Sequence, residues 1–119
     1  MTGSDWPEEI RLRDGGRLLS LRFADGSGFD LGAEYLRVES PSAEVKGHGP
    51  GQETLVSGKR DVRITSLDPI GTYAVRILFN DGHSTGLYTW DYLVRLGREQ
   101  QVLWPAYLAK LDAAGLARG

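Results

Sequence analysis

The feature that most constrains the fold is an Asp-Gly pair, Asp81-Gly82, set between a β-rich run and a helical pattern. Residues 73–79 are rich in β-branched and aromatic side chains, which favour a strand, and glycine tolerates the positive φ that a tight hairpin turn requires. Thr89 is a suitable N-cap, because its hydroxyl accepts a hydrogen bond from a free amide of the first helical turn. The apolar residues that follow recur at helical spacing. Residues 72–97 are therefore predicted to form a hairpin that leads into a helix.

The same order of features occurs earlier in the chain. Residues 23–29 contain the turn Asp25-Gly26 and are followed by Glu34-Tyr35-Leu36, just as the later turn is followed by Asp91-Tyr92-Leu93. The distance from turn to helix differs by one residue between the two copies. Two interpretations stay open: internal duplication, or convergence on a turn that is common in hairpins.

Alternating polar and apolar residues predict further strands at 9–13, 17–23 and 61–67, each with one buried face. A turn is expected at Asp68-Pro69-Ile70-Gly71, since proline suits the second position of a turn. Glycines and a proline punctuate residues 47–58, which are predicted to form the one long loop of the chain.

A last helix is expected at about 101–114, with Pro105 in its first turn, because a proline farther inside would remove a hydrogen bond. Arg118 and Gly119 are expected to be frayed. These elements predict the α+β class, with about five to seven short antiparallel strands in small sheets and helices towards the carboxyl end. One domain is expected over 1–119, with its core at about 6–97.

Composition excludes several classes of protein. Fourteen basic and sixteen acidic side chains give a net charge of −2, so the chain lacks the basic face that nucleic acid favours. The absence of cysteine excludes disulfides, thiolate metal sites and a cysteine nucleophile. No apolar run approaches the roughly 20 residues that span a bilayer, and the first residues lack the segments of a signal peptide. We expect a soluble cytoplasmic protein without nucleic-acid or membrane partners.

The candidate metal ligands are His48 in the glycine-rich loop and His83 after the hairpin turn, with Asp81 as a carboxylate beside them. The alternative is that both histidines make local hydrogen bonds, since their spacing matches no metal-binding motif. Tyr88 and Tyr92 are expected to pack in the core, or else to line a groove with their hydroxyls. No nucleophile–base pair is visible, so no catalytic residue is predicted.

A series of motifs carries a resemblance to a known family. They are Glu34-Tyr35-Leu36-Arg37, Ser-Pro-Ser-Ala-Glu-Val at 40–45, Gly-His-Gly at 47–49, Asp-Gly-His-Ser-Thr-Gly-Leu-Tyr at 81–88 and Trp-Asp-Tyr-Leu at 90–93. The chain resembles the DUF971 family, also called the gamma-butyrobetaine hydroxylase-like N-terminal domain, in its stand-alone bacterial form. The family's domains also occur fused to P-loop ATPases that carry iron–sulfur clusters, and in front of iron- and 2-oxoglutarate-dependent hydroxylases.

The resemblance also raises the question of a metal. In the hydroxylases this domain holds a structural zinc through a Cys-x-Cys-x-x-Cys run after a Trp-Leu-Arg segment, together with a later histidine. Here Tyr35-Leu36-Arg37 matches the segment, the histidine falls on His83, and the cysteine positions fall on Ser40, Ser42 and Val45. Serine hydroxyls and a valine do not replace three thiolates around zinc. We therefore expect no zinc and no cofactor, with packing of these residues in the metal's place.

The function that the resemblance implies is a non-enzymatic binding or adaptor module with an unidentified protein partner, accessory to iron–sulfur or iron-dependent enzymes. Its expected face comprises residues 47–58 with His48, together with His83, Arg37, Asp81 and Tyr88. The alternative is a labile metal-binding or delivery protein that uses His48 and His83. An enzyme of unknown type is the third interpretation.

Overall fold

The computed structural model of the protein describes residues 7–47, 51 and 53–119. Two antiparallel sheets of three strands each form the centre of the fold, in the orders β1-β2-β3 and β4-β5-β6. The strands are β1 Glu9–Arg13, β2 Leu18–Arg22, β3 Gly28–Gly32, β4 Ile64–Ile70, β5 Ala74–Phe79 and β6 Leu87–Thr89. The helices are α1 Ala33–Val38, α2 Ala43–Lys46, α3 Trp90–Arg98 and α4 Gln100–Ala113. This arrangement confirms the predicted α+β class.

Each sheet leads directly into a helix, so the chain contains the same unit twice: β1 to α1 and β4 to α3. The two hairpin turns close with the same hydrogen bonds. Phe23 N donates to Ser27 O at 2.8 Å, and Phe79 N donates to His83 O at 3.0 Å. In both turns the aspartate accepts a backbone N–H from two residues ahead, and the following glycine has a φ near 90°. These shared bonds favour internal duplication over convergence on an Asp-Gly dipeptide alone.

The two helices are joined by a reciprocal pair of hydrogen bonds. The Tyr35 hydroxyl of α1 donates to Leu96 O at 2.7 Å, and the Tyr92 hydroxyl of α3 donates to Glu39 O. Tyr92 lies 57 residues after Tyr35, and Leu96 lies 57 residues after Glu39. Contacts that are exchanged in this way between equivalent positions define an approximate two-fold relation between the units.

Both units contribute to one hydrophobic core. Leu19 and Leu31 of the first sheet and Ile77 and Tyr88 of the second are fully buried in it. In β2 the buried side chains alternate with more exposed ones, as in a strand with one inward face. The Thr89 hydroxyl caps α3 by accepting from Tyr92 N at 3.1 Å, which confirms the predicted start of that helix.

Three local predictions were wrong. Pro69 does not turn the chain: it lies within β4 opposite Val75, and it is tolerated there because β4 is at the edge of its sheet. Pro105 lies beyond the first turn of α4, because the helix already begins at Gln100. Arg118 is not frayed, since its guanidinium forms a two-pronged ion pair with Glu34.

Within the described part of the chain, no helix is long and apolar enough to cross a bilayer. The segment 58–60 is tied to the carboxyl-terminal residues by two backbone hydrogen bonds, from Gly58 N to Ala117 O and from Arg60 N to Arg118 O. These bonds hold the end of the predicted loop beside the end of α4.

Candidate functional site

A chain of three polar side chains meets at His83. Ser40 Oγ lies 2.9 Å from His83 Nε2, and Glu44 Oε2 lies 3.0 Å from His83 Nδ1. A carboxylate only accepts hydrogen bonds, so we assign the neutral imidazole proton to Nδ1. Nε2 then accepts from the Ser40 hydroxyl. We call this group the Ser40–His83–Glu44 array.

The array connects two parts of the chain that sequence separates widely. Ser40 and Glu44 flank the connection between α1 and α2, while His83 follows the turn after β5. Ser42, the N-cap of α2, accepts from Glu44 N and forms a 2.6 Å hydrogen bond with the Thr85 hydroxyl. Two side-chain contacts therefore fasten this α1–α2 connection to the segment between β5 and β6.

The order of residues in the array is that of a Ser–His–acid catalytic triad, but its exposure is reversed. Ser40 is 0% exposed, whereas the Glu44 side chain is 62% exposed. A Cβ added to Gly86 would lie 2.6 Å from Ser40 Oγ, so the chain passes directly over the hydroxyl. A nucleophile must be reached by its substrate, and this one is enclosed. Sequence analysis missed the pairing of Ser40 with His83, since the two residues lie 43 positions apart.

Burial lowers the pKa of His83 below its ordinary value of 6.5, and the positive charge of Arg37 lowers it further. The Glu44 carboxylate opposes this effect by favouring the imidazolium. Burial prevails, so the imidazole is neutral at pH 7 and the array is a network of hydrogen bonds without a buried positive charge.

Asp81 carries two cations beside the array. Its Oδ2 lies 2.8 Å from Arg37 Nε and 2.6 Å from Lys59 Nζ. Burial alone would raise the pKa of Asp81, but the hydrogen bonds from Lys59, the His83 amide and Arg37 lower it to about 2. Within the described residues, Arg37 Nη1 is the one buried side-chain nitrogen or oxygen without a hydrogen-bond partner. The guanidinium thus keeps an unused donor.

The predicted site residues do not form one exposed face. Tyr88 is enclosed, and its hydroxyl donates to Leu36 O at 2.5 Å; burial raises its pKa. His83 is 5% exposed, and His48 lies outside the described residues. The structure brings Arg37, Asp81 and His83 together with Ser40, and a direct role of these side chains in binding stays a prediction.

A groove lies on the other side of the α1–α2 connection, between residues 53–56 and α4. Its volume is about 560 Å³, which is within the range of ligand and peptide sites. The apolar side chains that line it include Val38, Val45, Leu55, Val56, Leu103 and Tyr107. The charged side chains that line it are Glu39, Lys46, Glu53 and Lys110. Sequence analysis predicted the loop at 47–58 but not the helix that faces it.

Comparison with known proteins decides the family. A sequence profile described as gamma-butyrobetaine hydroxylase-like, N-terminal, matches residues 10–94. The chain belongs to this family, DUF971.

Solved structures agree with this assignment. An NMR solution structure that is 45% identical matches with a TM-score of 0.83, covering 98% of this chain and 91% of the other. A second NMR structure, also 45% identical, has a TM-score of 0.80 over 99% of this chain and 89% of the other. A crystal structure of a DUF971 protein of unknown function from Acidithiobacillus ferrooxidans is 38% identical, with a TM-score of 0.66 over 82% of this chain and 98% of the other. No curated protein matches the chain.

The residues at the positions that resemble the zinc ligands of DUF971-containing hydroxylases do not fit that metal. Ser40 and Ser42 offer neutral hydroxyls, Val45 offers no donor, and both nitrogens of His83 are engaged in hydrogen bonds. Zinc in a structural site takes thiolate or free imidazole ligands. Among the residues that the structure describes, no group of three or more histidine and acidic side chains is placed to hold a metal ion.

Stability should fall with pH in a window set by His83. The folded pKa lies below the unfolded one, so its contribution is fully present above about pH 6.5 and is lost as pH falls through the folded value. Each unit of lowering corresponds to about 1.4 kcal/mol. Urea unfolding between pH 7.5 and 5 should show this loss, which lies above the window between 3.8 and about 2 in which Asp81 titrates. His83→Gln should flatten the curve and Glu44→Gln should steepen it; a His83→Gln curve as steep as the wild type would contradict the assignment.

Purified protein should contain no stoichiometric zinc, because the array lacks thiolates. Inductively coupled plasma mass spectrometry on protein prepared without chelator gives the zinc-to-protein ratio. Unfolding curves with and without EDTA should coincide. Tightly bound zinc at one equivalent, or unfolding by EDTA, would overturn the interpretation of the array as a metal-free network.

Proposed function

We propose that the protein is a non-enzymatic binding or adaptor module whose docking site is the groove between residues 53–56 and α4. The observation that supports this most directly is the groove itself: a concave surface with an apolar lining and charged side chains at defined places. Such surfaces are where peptides and small ligands bind. The predicted loop contributes one side of it through Glu53, Thr54, Leu55 and Val56.

In this proposal the array positions the groove and takes no part in catalysis. Val38 and Val45 line the groove, while Ser40 and Glu44 between and beside them contact His83 on the opposite side of the same connection. Arg37, Asp81 and Tyr88 hold α1 from below through contacts with the second unit. The predicted site residues thereby support binding without touching the ligand.

The proposed partner is a protein, and the resemblance to domains fused with cluster-carrying ATPases supports an iron–sulfur or iron-dependent enzyme as its class. The proposal keeps the cytoplasmic setting expected from the sequence. The alternative, a labile metal-binding or delivery protein using His48 and His83, requires His83 to give up a hydrogen bond to Ser40 or Glu44 before it ligates. That cost favours the adaptor.

The experiment is capture of partners from an extract of the source cells on immobilised protein, with three baits. Ala106→Arg places a long charged side chain in the groove. Ala24→Arg makes the same chemical change at an exposed residue of the β2–β3 turn. Proteins bound through the groove should be retained by the wild type and by Ala24→Arg, and should be reduced at least about tenfold on Ala106→Arg, the loss that about 1.4 kcal/mol produces.

Matching circular dichroism and thermal unfolding of the three baits show that each is folded. If no retained protein distinguishes Ala106→Arg from Ala24→Arg, the groove is not the docking site and the proposal fails.

A further inference from the structure

Helix α4 presents apolar side chains on two opposite faces. Tyr107 and Leu111 are buried against the rest of the protein. On the outer face Val102 is 68% exposed and Leu116, just past the helix, is 43% exposed. The only charged residues of the helix are Lys110 and Asp112. A helix that is apolar on both sides is normally covered on both sides.

The outer face and the groove form one continuous surface. Ala106 and Ala113 are exposed residues of α4 that also line the groove. From Leu103 to Ala114 the groove follows the helix for about 17 Å, at about 1.5 Å per residue. Alanines along this length allow another backbone to approach closely, as helices with small contact residues do.

The charge on this surface is positive at one point. Lys46 is already paired with Glu39 at 3.3 Å, and Glu53 accepts a hydrogen bond from the Gly51 amide. Lys110 has no carboxylate within ion-pair distance among the residues that the structure describes. An ammonium group set among apolar side chains binds best to a partner that supplies a negative charge there.

We propose that the groove and the outer face of α4 receive an acidic amphipathic helix of a partner protein. Its apolar residues, three and four positions apart, pack on Ala106 and Ala113, and a carboxylate pairs with Lys110. This inference rests on the proposed function and adds the chemistry of the partner. A second copy of this chain is a poorer match, because the one carboxylate of its α4, Asp112, lies outside the groove.

The test uses a phage-displayed library of random linear peptides. The library is depleted on Ala106→Arg and then selected on the wild-type protein. Enriched peptides should carry glutamate or aspartate among apolar residues spaced by three and four. Their affinities are measured by fluorescence polarisation against the wild type, Lys110→Glu and Arg13→Glu, which makes the same charge reversal at an exposed residue of β1.

Lys110→Glu should weaken binding of the acidic peptides at least about tenfold, whereas Arg13→Glu should stay within about twofold of the wild type. Replacing the peptide carboxylate by lysine should restore binding to Lys110→Glu. Enriched peptides without acidic residues, with an alternating apolar pattern, or with equal affinity for Lys110→Glu would overturn the inference. So would a dimer in light scattering that Ala106→Arg dissociates, since a second copy would then be the occupant.

The two proposals fail separately. If capture from extract depends on Ala106 while peptide binding ignores Lys110, the adaptor function stands and only the acidic helix is wrong. If neither measurement depends on Ala106, both are wrong.

Discussion

The structure depends on the reciprocal attachment of its two units through Tyr35 and Tyr92. Each hydroxyl reaches the carboxyl end of the opposite helix, and each ring fills space next to the shared core. A three-stranded sheet with one short helix buries too little apolar surface to be stable by itself. Joining two such units gives each sheet the second layer that it lacks. The groove, the array and the path of α4 all follow from that attachment.

The two units differ where the candidate site lies. Phe29 packs on Gly97 in one place, and Gly86 packs on Ser40 at the place 57 residues later for each glycine and its equivalent partner. The first contact is apolar, so the fold does not require a polar network here. The second gives its space to Ser40 and, through it, to His83 and Glu44. These side chains fasten the α1–α2 connection that borders the groove, a task that a metal performs when thiolates are present.

Local patterns in the sequence predicted the Asp-Gly turns, the cap at Thr89 and the α+β class, because these depend on neighbouring residues. They did not predict that Pro69 continues a strand, since an edge position is a property of the sheet. The Arg118–Glu34 ion pair joins residues 84 positions apart, and the pairing of Ser40 with His83 likewise required the fold. The resemblance had already assigned those two positions to one ligand set, and this was the one sequence signal for the array.

Hydrogen–deuterium exchange of the whole chain, followed by NMR in the presence of EDTA, tests the central claim that both units unfold together without a metal. The amides to compare are those of Leu19 and Leu31 in one sheet and Ile77 and Tyr88 in the other. Amides that exchange only through global unfolding report the same free energy. The account predicts equal values for both sheets, matching the free energy of unfolding by urea. A lower value for one entire sheet would contradict it, because that unit would then open while the other stayed folded.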